Sequence, residues 1–395
     1  MNKSASFLLI VFYRILAFGF GCLLIFSCRD DELVVPTEYE ILPEEINPNA
    51  NPLGMYLLNE GTMGHNTATL DFVDFKNALY VRNLYAERNP SAVKELGDVG
   101  NDIQIYGGKL YAVINCSHKV EVMDAYTCER IGQINIPNCR YIRFARGNAY
   151  VSSYVGPVNI TNSQLGAIFR VDTTSLKVTG QVTVGYQPDE LEIMGEYIYV
   201  ANSGGYSGAN GGKYDNTISV VEMYGMKQIQ KIPVGINLHR IRKDNYGKLW
   251  VSSRGDYNSI ASNLYVLDRK SPNSSEMAVK DVLNIPCSEM IIHGDSLYYY
   301  SVEFNKQTEK DNITYGIINV KTKELITDRF ITDGTEKDIE VPYGLKIDPV
   351  NGDIYVTDGK DYVSAGQLHC YDKKGKRKWS VRTGDIPAHM CFLWE

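Results

Sequence analysis

The chain has 395 residues, with 40 Lys and Arg against 47 Asp and Glu, for a formal charge of −7. That acidic balance excludes the basic footprint that nucleic-acid binding requires. Hydrophobic residues make up 44% of the chain, enough for a large core, and no linker splits it after residue 53.

An apolar run at 15–26 follows Lys3 and Arg14 and ends in Ser27-Cys28. It is too short to span a bilayer as a mature helix, so residues 1–27 are expected to be a secretory signal. Ile25-Phe26-Ser27-Cys28 resembles a bacterial lipobox. By that resemblance Cys28 is the lipidated first mature residue, anchored to a membrane without spanning it. The alternative is an uncleaved signal anchor with Cys28 as a bystander. Loss of Lys3 and Arg14 with the signal leaves 38 cations against 47 acids, a charge of −9. Arg29-Asp30-Asp31-Glu32 resembles the surface-export signal of Bacteroidota lipoproteins, which implies a location outside the outer membrane. Its plain alternative is a solvated tether. Four prolines and no periodicity between Val34 and Pro52 predict a linker, so 28–52 is assigned as a lipidated tether.

From residue 53 an apolar strand with an aromatic anchor recurs seven times, at Tyr56, Tyr111, Tyr150, Tyr199, Trp250, Tyr298 and Tyr355. The spacing of about 50 residues matches a propeller blade with long loops. Tight turns rich in Gly, Asn and Asp precede the anchors, as in Gly107-Gly108-Lys109 and Asn351-Gly352-Asp353. Short strands of period two follow them, as in Val120-Glu121-Val122-Met123, which favours antiparallel sheets. Innermost strands precede the turns, from Asp102-Ile103-Gln104-Ile105 to His389-Met390-Cys391-Phe392. The last has no partner strand after it, and Tyr56 has no innermost strand before it. The predicted fold is all-β: a seven-bladed β-propeller (53–395) of four-stranded antiparallel blades, closed by the C-terminal strand completing the N-terminal blade. Six cysteines follow Cys28, none in a Cys-x-x-Cys pair, and they read as buried small hydrophobes with no pairing assigned.

Val184-Gly185-Tyr186-Gln187-Pro188-Asp189-Glu190-Leu191, then Tyr199-Val200-Ala201-Asn202, resembles the repeat of YVTN/YncE-like, DUF5074-type propellers. The resemblance covers nearly all of 53–395 and implies fold rather than function.

In this strand order, the loops that enter the innermost strands share one face with the loops between second and third strands. The latter are long: 59–68, 154–166, 202–216, 254–263, 303–314 and 358–366. The central ring takes one residue per blade: Asp102, Tyr141, Glu190, Arg240, Glu289, Gly344 and His389. Its neighbours are Arg140, Asp189, His239 and Tyr343, with His65, Tyr154, Asn202, Tyr206, Tyr214, Arg254, Tyr257, Phe304 and Tyr362 on the loops. Mixed charge with many tyrosines suits a large neutral ligand rich in amides or hydroxyls. Each candidate also has a plain reading. Glu190 is either a ligand contact or the structural partner of Arg240 or Arg140, and His389 either a channel residue or a metal ligand. The anchors are core. The run Gly204–Gly212 lacks Gly-Lys-Ser/Thr and opens no helix, so it reads as a mobile loop rather than a phosphate cradle. There is no Gly-x-Ser-x-Gly elbow and no His-Glu-x-x-His.

The export-like acidic cluster, the propeller repeat, the tyrosine-rich loops and Tyr56-Leu57-Leu58-Asn59-Glu60-Gly61-Thr62-Met63-Gly64-His65-Asn66 together resemble the BtuG-type surface cobalamin-binding lipoproteins of Bacteroidota. The resemblance implies a corrinoid (vitamin B12) as transported ligand rather than cofactor, and a TonB-dependent outer-membrane transporter as partner. It also implies a lipid-anchored position on the extracellular face. Arg240 or Arg254 would face the corrinoid phosphate. Two other classes stay open. One is a lyase or lactonase holding a divalent cation on Asp102, Glu190, Glu289 and His389, against which the charge of Arg240 argues. The other is a glycan- or protein-binding accessory protein, although none of the three tryptophans lies in a long loop.

Overall fold

The computed structural model describes residues 36–92, 96–157, 164–272, 274–305 and 309–395. The signal segment, Cys28 and the acidic run after it lie outside the described residues.

Alternation along the innermost strands organises the molecule. Their apolar positions, Ile103, Ile142, Leu191, Ile241, Met290, Leu345 and Met390, are at most 7% exposed and pack between blades. The residues of opposite phase, mostly polar, turn to the other face of the strand, as a period of two requires. Blades two to seven open on innermost strands Gly100–Tyr106, Cys139–Ala145, Pro188–Met194, Leu238–Lys243, Glu289–His293 and Pro342–Ile347. Each continues outward through three antiparallel strands. Blade one takes its innermost strand, Pro387–Leu393, from the C-terminus, where Cys391 lies opposite Tyr56 of Gly54–Asn59. The seven-bladed propeller and its closure are as the repeat predicts.

Equivalent positions fall into register in every blade. Gln104, Arg143, Glu192, Arg242, Ile291, Lys346 and Cys391 each lie opposite the aromatic anchor of the second strand. Hydroxyls of the second strands latch neighbouring blades together. Thr357 Oγ1 accepts from Gly344 N at 2.7 Å and donates to Pro387 O of blade one at 2.5 Å. Ser152 Oγ accepts from Tyr141 N and donates to Asp189 O of blade four in the same way. At the blade-seven ring position a Cβ on Gly344 would come within 2.2 Å of Ala388 O, so only glycine admits the blade-one strand that closes the ring.

Three expectations need correction. The assigned tether contains a strand: Glu38–Ile41 pairs with Leu79–Arg82 as a fifth, outermost strand of blade one. After it Leu42 is buried, and Glu44 accepts from Trp379 Nε1 at 2.9 Å. Prolines concealed this strand because it sits on a sheet edge between them. The expected loop 303–314 is largely a hairpin, since Ser296–Asn305 and Lys310–Asn319 stay in register to Asn305–Lys310. The run Gly204–Gly212 holds a short helix, Gly205–Ala209, whose first N–H groups bond to Gln187 Oε1. A second short helix, Leu84–Arg88, follows the fourth strand of blade one and buries Leu84 and Tyr85. All six described cysteines are free; five are buried and Cys116 is half-buried.

Thr357→Val keeps the volume but leaves a buried N–H and a buried carbonyl unpaired. It should lower unfolding stability by about 1–3 kcal/mol, read from the urea midpoint at unchanged slope.

Candidate functional site

A local irregularity builds the upper face. In six of the seven blades the pairing between first and second strands slips by one residue at the start of the innermost strand. Such a bulge re-aims consecutive side chains. It lets pairs such as Asp189 and Glu190, or His239 and Arg240, serve the upper face together.

The ring is held by a continuous run of ion pairs. Arg143 bridges Asp102 and Glu190, at 2.7 Å to each. Arg242 bridges Glu190 and Glu289, the latter at 3.1 Å. Arg240 completes the run, with Nη2 2.7 Å from Glu289 and Nη1 donating to Tyr141 Oη at 2.6 Å. Two carboxylates also accept from the backbone of the following blade: Asp102 from Ile142 N and Glu190 from Ile241 N, both at 3.0 Å. Burial opposes ionisation of Glu190, but Arg242 and Arg143 override it and hold its carboxyl down at about 2.

Beside this run Asp189 is fully buried. Its Oδ1 accepts from Arg140 Nη2 at 3.2 Å and Tyr154 Oη at 3.0 Å. Its Oδ2 lies 3.2 Å from His239 Nδ1, and His239 Nε2 lies 2.9 Å from Arg254 Nη2. A guanidinium only donates, so Nε2 is the acceptor and Nδ1 carries the proton that is given to Asp189. Burial, then Arg254 and Arg240, hold the His239 pKa well below its ordinary value, which keeps this neutral tautomer. Burial disfavours the Asp189 anion, yet Arg140, His239 and Arg254 hold its carboxyl well below the usual range.

A cavity of about 660 Å³ opens on the long-loop face over blades five to seven. Tyr141, His239, Arg240 and Arg254 form its inner part, and Tyr257, Ile260, Phe304 and Tyr362 its rim. Asp256 accepts from Asn258 N and Ile260 N, and Asp361 from Val363 N and Ser364 N. These turns hold the loops that carry Tyr257 and Tyr362 at 61% and 43% exposure.

Eight predicted residues line the cavity: Tyr141, His239, Arg240, Arg254, Tyr257, Phe304, Tyr343 and Tyr362. The other ring and loop candidates lie outside its lining. Asp102 and Glu190 hold blades together, and Arg140 neutralises Asp189. Asn202 is buried within blade four, where it accepts from Gly185 N and donates to Thr217 and Ser219. Tyr206, on the short helix, packs edge-on against Tyr154. His389 Nε2 sits 3.3 Å from Glu60 Oε1 and its ring lies edge-on to Tyr141. Glu190 is therefore paired with Arg143 and Arg242 rather than with Arg240 or Arg140. Sequence reasoning missed Arg143 and Arg242 as ring partners and Glu60 as a lining residue. The first two were detectable two positions after ring residues, facing the same side. Among the described residues no group of three or more His, Cys, Asp or Glu side chains is placed to hold a metal ion.

The match to the domain of unknown function DUF5074 runs over residues 53–392, which is the propeller apart from the outermost strand of blade one and the last few residues. The chain belongs to that family. No curated protein matches it. Among solved structures it is similar to a functionally unknown protein from Desulfotomaculum acetoxidans (TM-score 0.60, 8% identity, 87% of this chain and 99% of that one). It is also similar to the periplasmic gluconolactonase PpgL of Pseudomonas aeruginosa (TM-score 0.56, 10% identity, 86% and 99%). A quinonprotein alcohol dehydrogenase-like protein from Bacteroides thetaiotaomicron gives a TM-score of 0.55 at 14% identity, over 87% and 79% of the two chains. At such identities the likeness is one of fold alone.

Glu190→Gln leaves two buried guanidiniums short of charge and should cost the DUF5074 propeller about 3–5 kcal/mol in urea unfolding. The pH dependence should change too. A depressed folded pKa adds stability that is full above the unfolded value and lost as pH falls through the folded one. Wild-type stability should therefore decline between the ordinary glutamate value of 4.5 and about 2, more steeply than that of the variant.

Proposed function

We propose that this DUF5074 propeller is a ligand-capture protein whose binding site is the cavity over blades five to seven, and that its ligand is a corrinoid. One observation carries the reading: a cavity of about 660 Å³, already formed, with an aromatic rim and guanidiniums at its inner end. Cavities of roughly 300–1,000 Å³ with apolar walls and a few fixed polar groups are typical ligand sites. Side chains already held by Asp189, Glu289 and the loop turns lose little freedom on binding, which favours affinity. The aromatic rim suits a broad macrocycle, and the Tyr, Ser and Asn groups of the lining suit its peripheral amides. In this reading Cys28 carries the lipid that holds the chain on the extracellular face of the outer membrane. The ligand then passes to a TonB-dependent transporter.

The cation-dependent lyase reading draws on ring acids that are already engaged. Asp102, Glu190 and Glu289 each pair with arginine, and His389 with Glu60, so a divalent ion would have to displace those partners. No tryptophan offers a sugar-stacking face in the cavity: Trp250 and Trp379 are buried, and Trp394, which is exposed, is not part of the lining.

Calorimetry of the purified protein with cyanocobalamin, after its metal content is measured, should show one-to-one binding by a metal-free protein. Replacing Tyr257 and Phe304 together with Ala should weaken binding about 10- to 100-fold without loss of fold. No heat at several hundred micromolar ligand would sink the corrinoid reading, and a stoichiometric channel cation would bring the lyase forward.

A further inference from the structure

Two arginines line the cavity, Arg240 and Arg254, with Arg140 nearby on Asp189, and they are not equivalent. Both Nη groups of Arg240 are engaged, one facing Glu289 at 2.7 Å and the other donating to Tyr141 at 2.6 Å, and its Nε is buried away from solvent. Arg140 lies against Asp189 at 3.2 Å with its side chain only 13% exposed. Arg254 differs. Its side chain is 36% exposed on the cavity wall, and its nearest carboxylate oxygen is Asp189 Oδ2 at 3.7 Å. Its close partner is the neutral Nε2 of His239 at 2.9 Å, which orients the guanidinium without cancelling its charge. Asp189 supplies one negative charge, while Arg140 and Arg254 supply two positive ones, so the group carries a net positive charge that opens on the cavity. The lining also holds three carboxylates: Glu60, bonded by His389 and Tyr343, Glu303, which accepts from Ser262, and Asp311. Among the described residues none of them forms an ion pair with Arg254.

We propose that Arg254 is an oxyanion subsite of the cavity, which takes a phosphate or carboxylate group of the bound ligand, and that His239 and Asp189 are its positioning residues. The proposal deepens the capture reading and rests on the cavity being a ligand site. A planar guanidinium held from one side offers its remaining N–H groups as a fork to an oxyanion. The Asp189–His239–Arg254 relay fixes the direction of that fork.

The first test uses inorganic phosphate alone. At constant ionic strength set with chloride, phosphate should raise the melting temperature of the purified protein in a saturable way. Arg254→Gln should weaken the apparent affinity about tenfold, the loss of one charge-assisted contact. Its melting temperature without phosphate sets the variant's own baseline, because Arg254 also helps to neutralise the buried Asp189. His239→Phe should weaken phosphate binding by a smaller factor while Arg254 is intact, and a purely structural role would not move that readout. Acetate in place of phosphate separates a carboxylate from a phosphate preference. No difference between phosphate and chloride in the wild type, or an equal response in Arg254→Gln, would overturn the proposal.

A second arm separates this proposal from the capture reading. Arg254→Gln should weaken cyanocobalamin, which bears a phosphodiester, and spare cobinamide, which lacks one. Equal weakening of both corrinoids would overturn the subsite while leaving capture intact. Binding of phosphate with neither corrinoid would overturn the corrinoid ligand and leave the subsite standing.

Discussion

The run Asp102–Arg143–Glu190–Arg242–Glu289–Arg240 is the constraint on which the rest of the upper face depends. It crosses blades two to six, and each interior member touches two opposite charges. Isolated buried ion pairs rarely offset their own desolvation. Here Asp102 and Glu190 also accept from the backbone of the next blade, so lone pairs that would otherwise be orphaned are used. The result is angular specification. A blade that rotated or slid would strand a guanidinium in a place where water could not replace the lost partner.

That specification has a spatial consequence. At the ring position blades two to six carry Asp102, Tyr141, Glu190, Arg240 and Glu289, whereas blade seven has only Gly344, pressed against Ala388 O. The cavity lies on that side, lined by Val341, Pro342 and Tyr343. Closing the ring therefore both admits the C-terminal strand and leaves room above it. The bulges at the strand starts do the complementary work. They let Asp189 and Glu190, adjacent in the chain, enter two separate networks, one that builds the ring and one that orients Arg254.

Much of this was legible in the sequence because it follows from period two. The anchors, the innermost strands and the shared strand of blade one all announce themselves by alternation and by what each chain end lacks. The ring positions were legible for the same reason. Partner choice was not: Glu190 finds Arg143 and Arg242, and only the slope of one strand past the next decides between them and Arg140. Asn202 looked like a loop contact because it ends a strand before a long loop, yet it turns inward to Thr217 and Ser219. The strand Glu38–Ile41 was hidden by its short length and flanking prolines, which signal a linker when no tertiary partner is known. The hairpin Ser296–Asn319 was read as looped because its polar tip resembles a connection, although its backbone pairing continues to Asn305 and Lys310.

The rim carries a cost that the fold alone does not explain. Tyr257 and Tyr362 have φ of +58° and +63°, a left-handed conformation unfavourable for bulky side chains. Residues held this way cost on the order of 1–3 kcal/mol and persist where surrounding structure over-determines them. The over-determination is visible, in the turns anchored by Asp256 and Asp361 and in the bond from Asn237 to Gly255 O. Those bonds enforce the turn, but they do not require an aromatic residue at its exposed apex. Two equivalent loops both place a tyrosine there on the lining of one cavity, Tyr257 at 61% exposure and Tyr362 at 43% with its ring edge-on to Tyr343. For Tyr257, burial in the free protein offsets little of that strain. A ligand that covers the rings would supply the missing apolar contact, and a rim fixed in advance would lose little freedom in making it. The geometry of the rim is thus better accounted for by what it is held ready to touch than by what it touches within the chain.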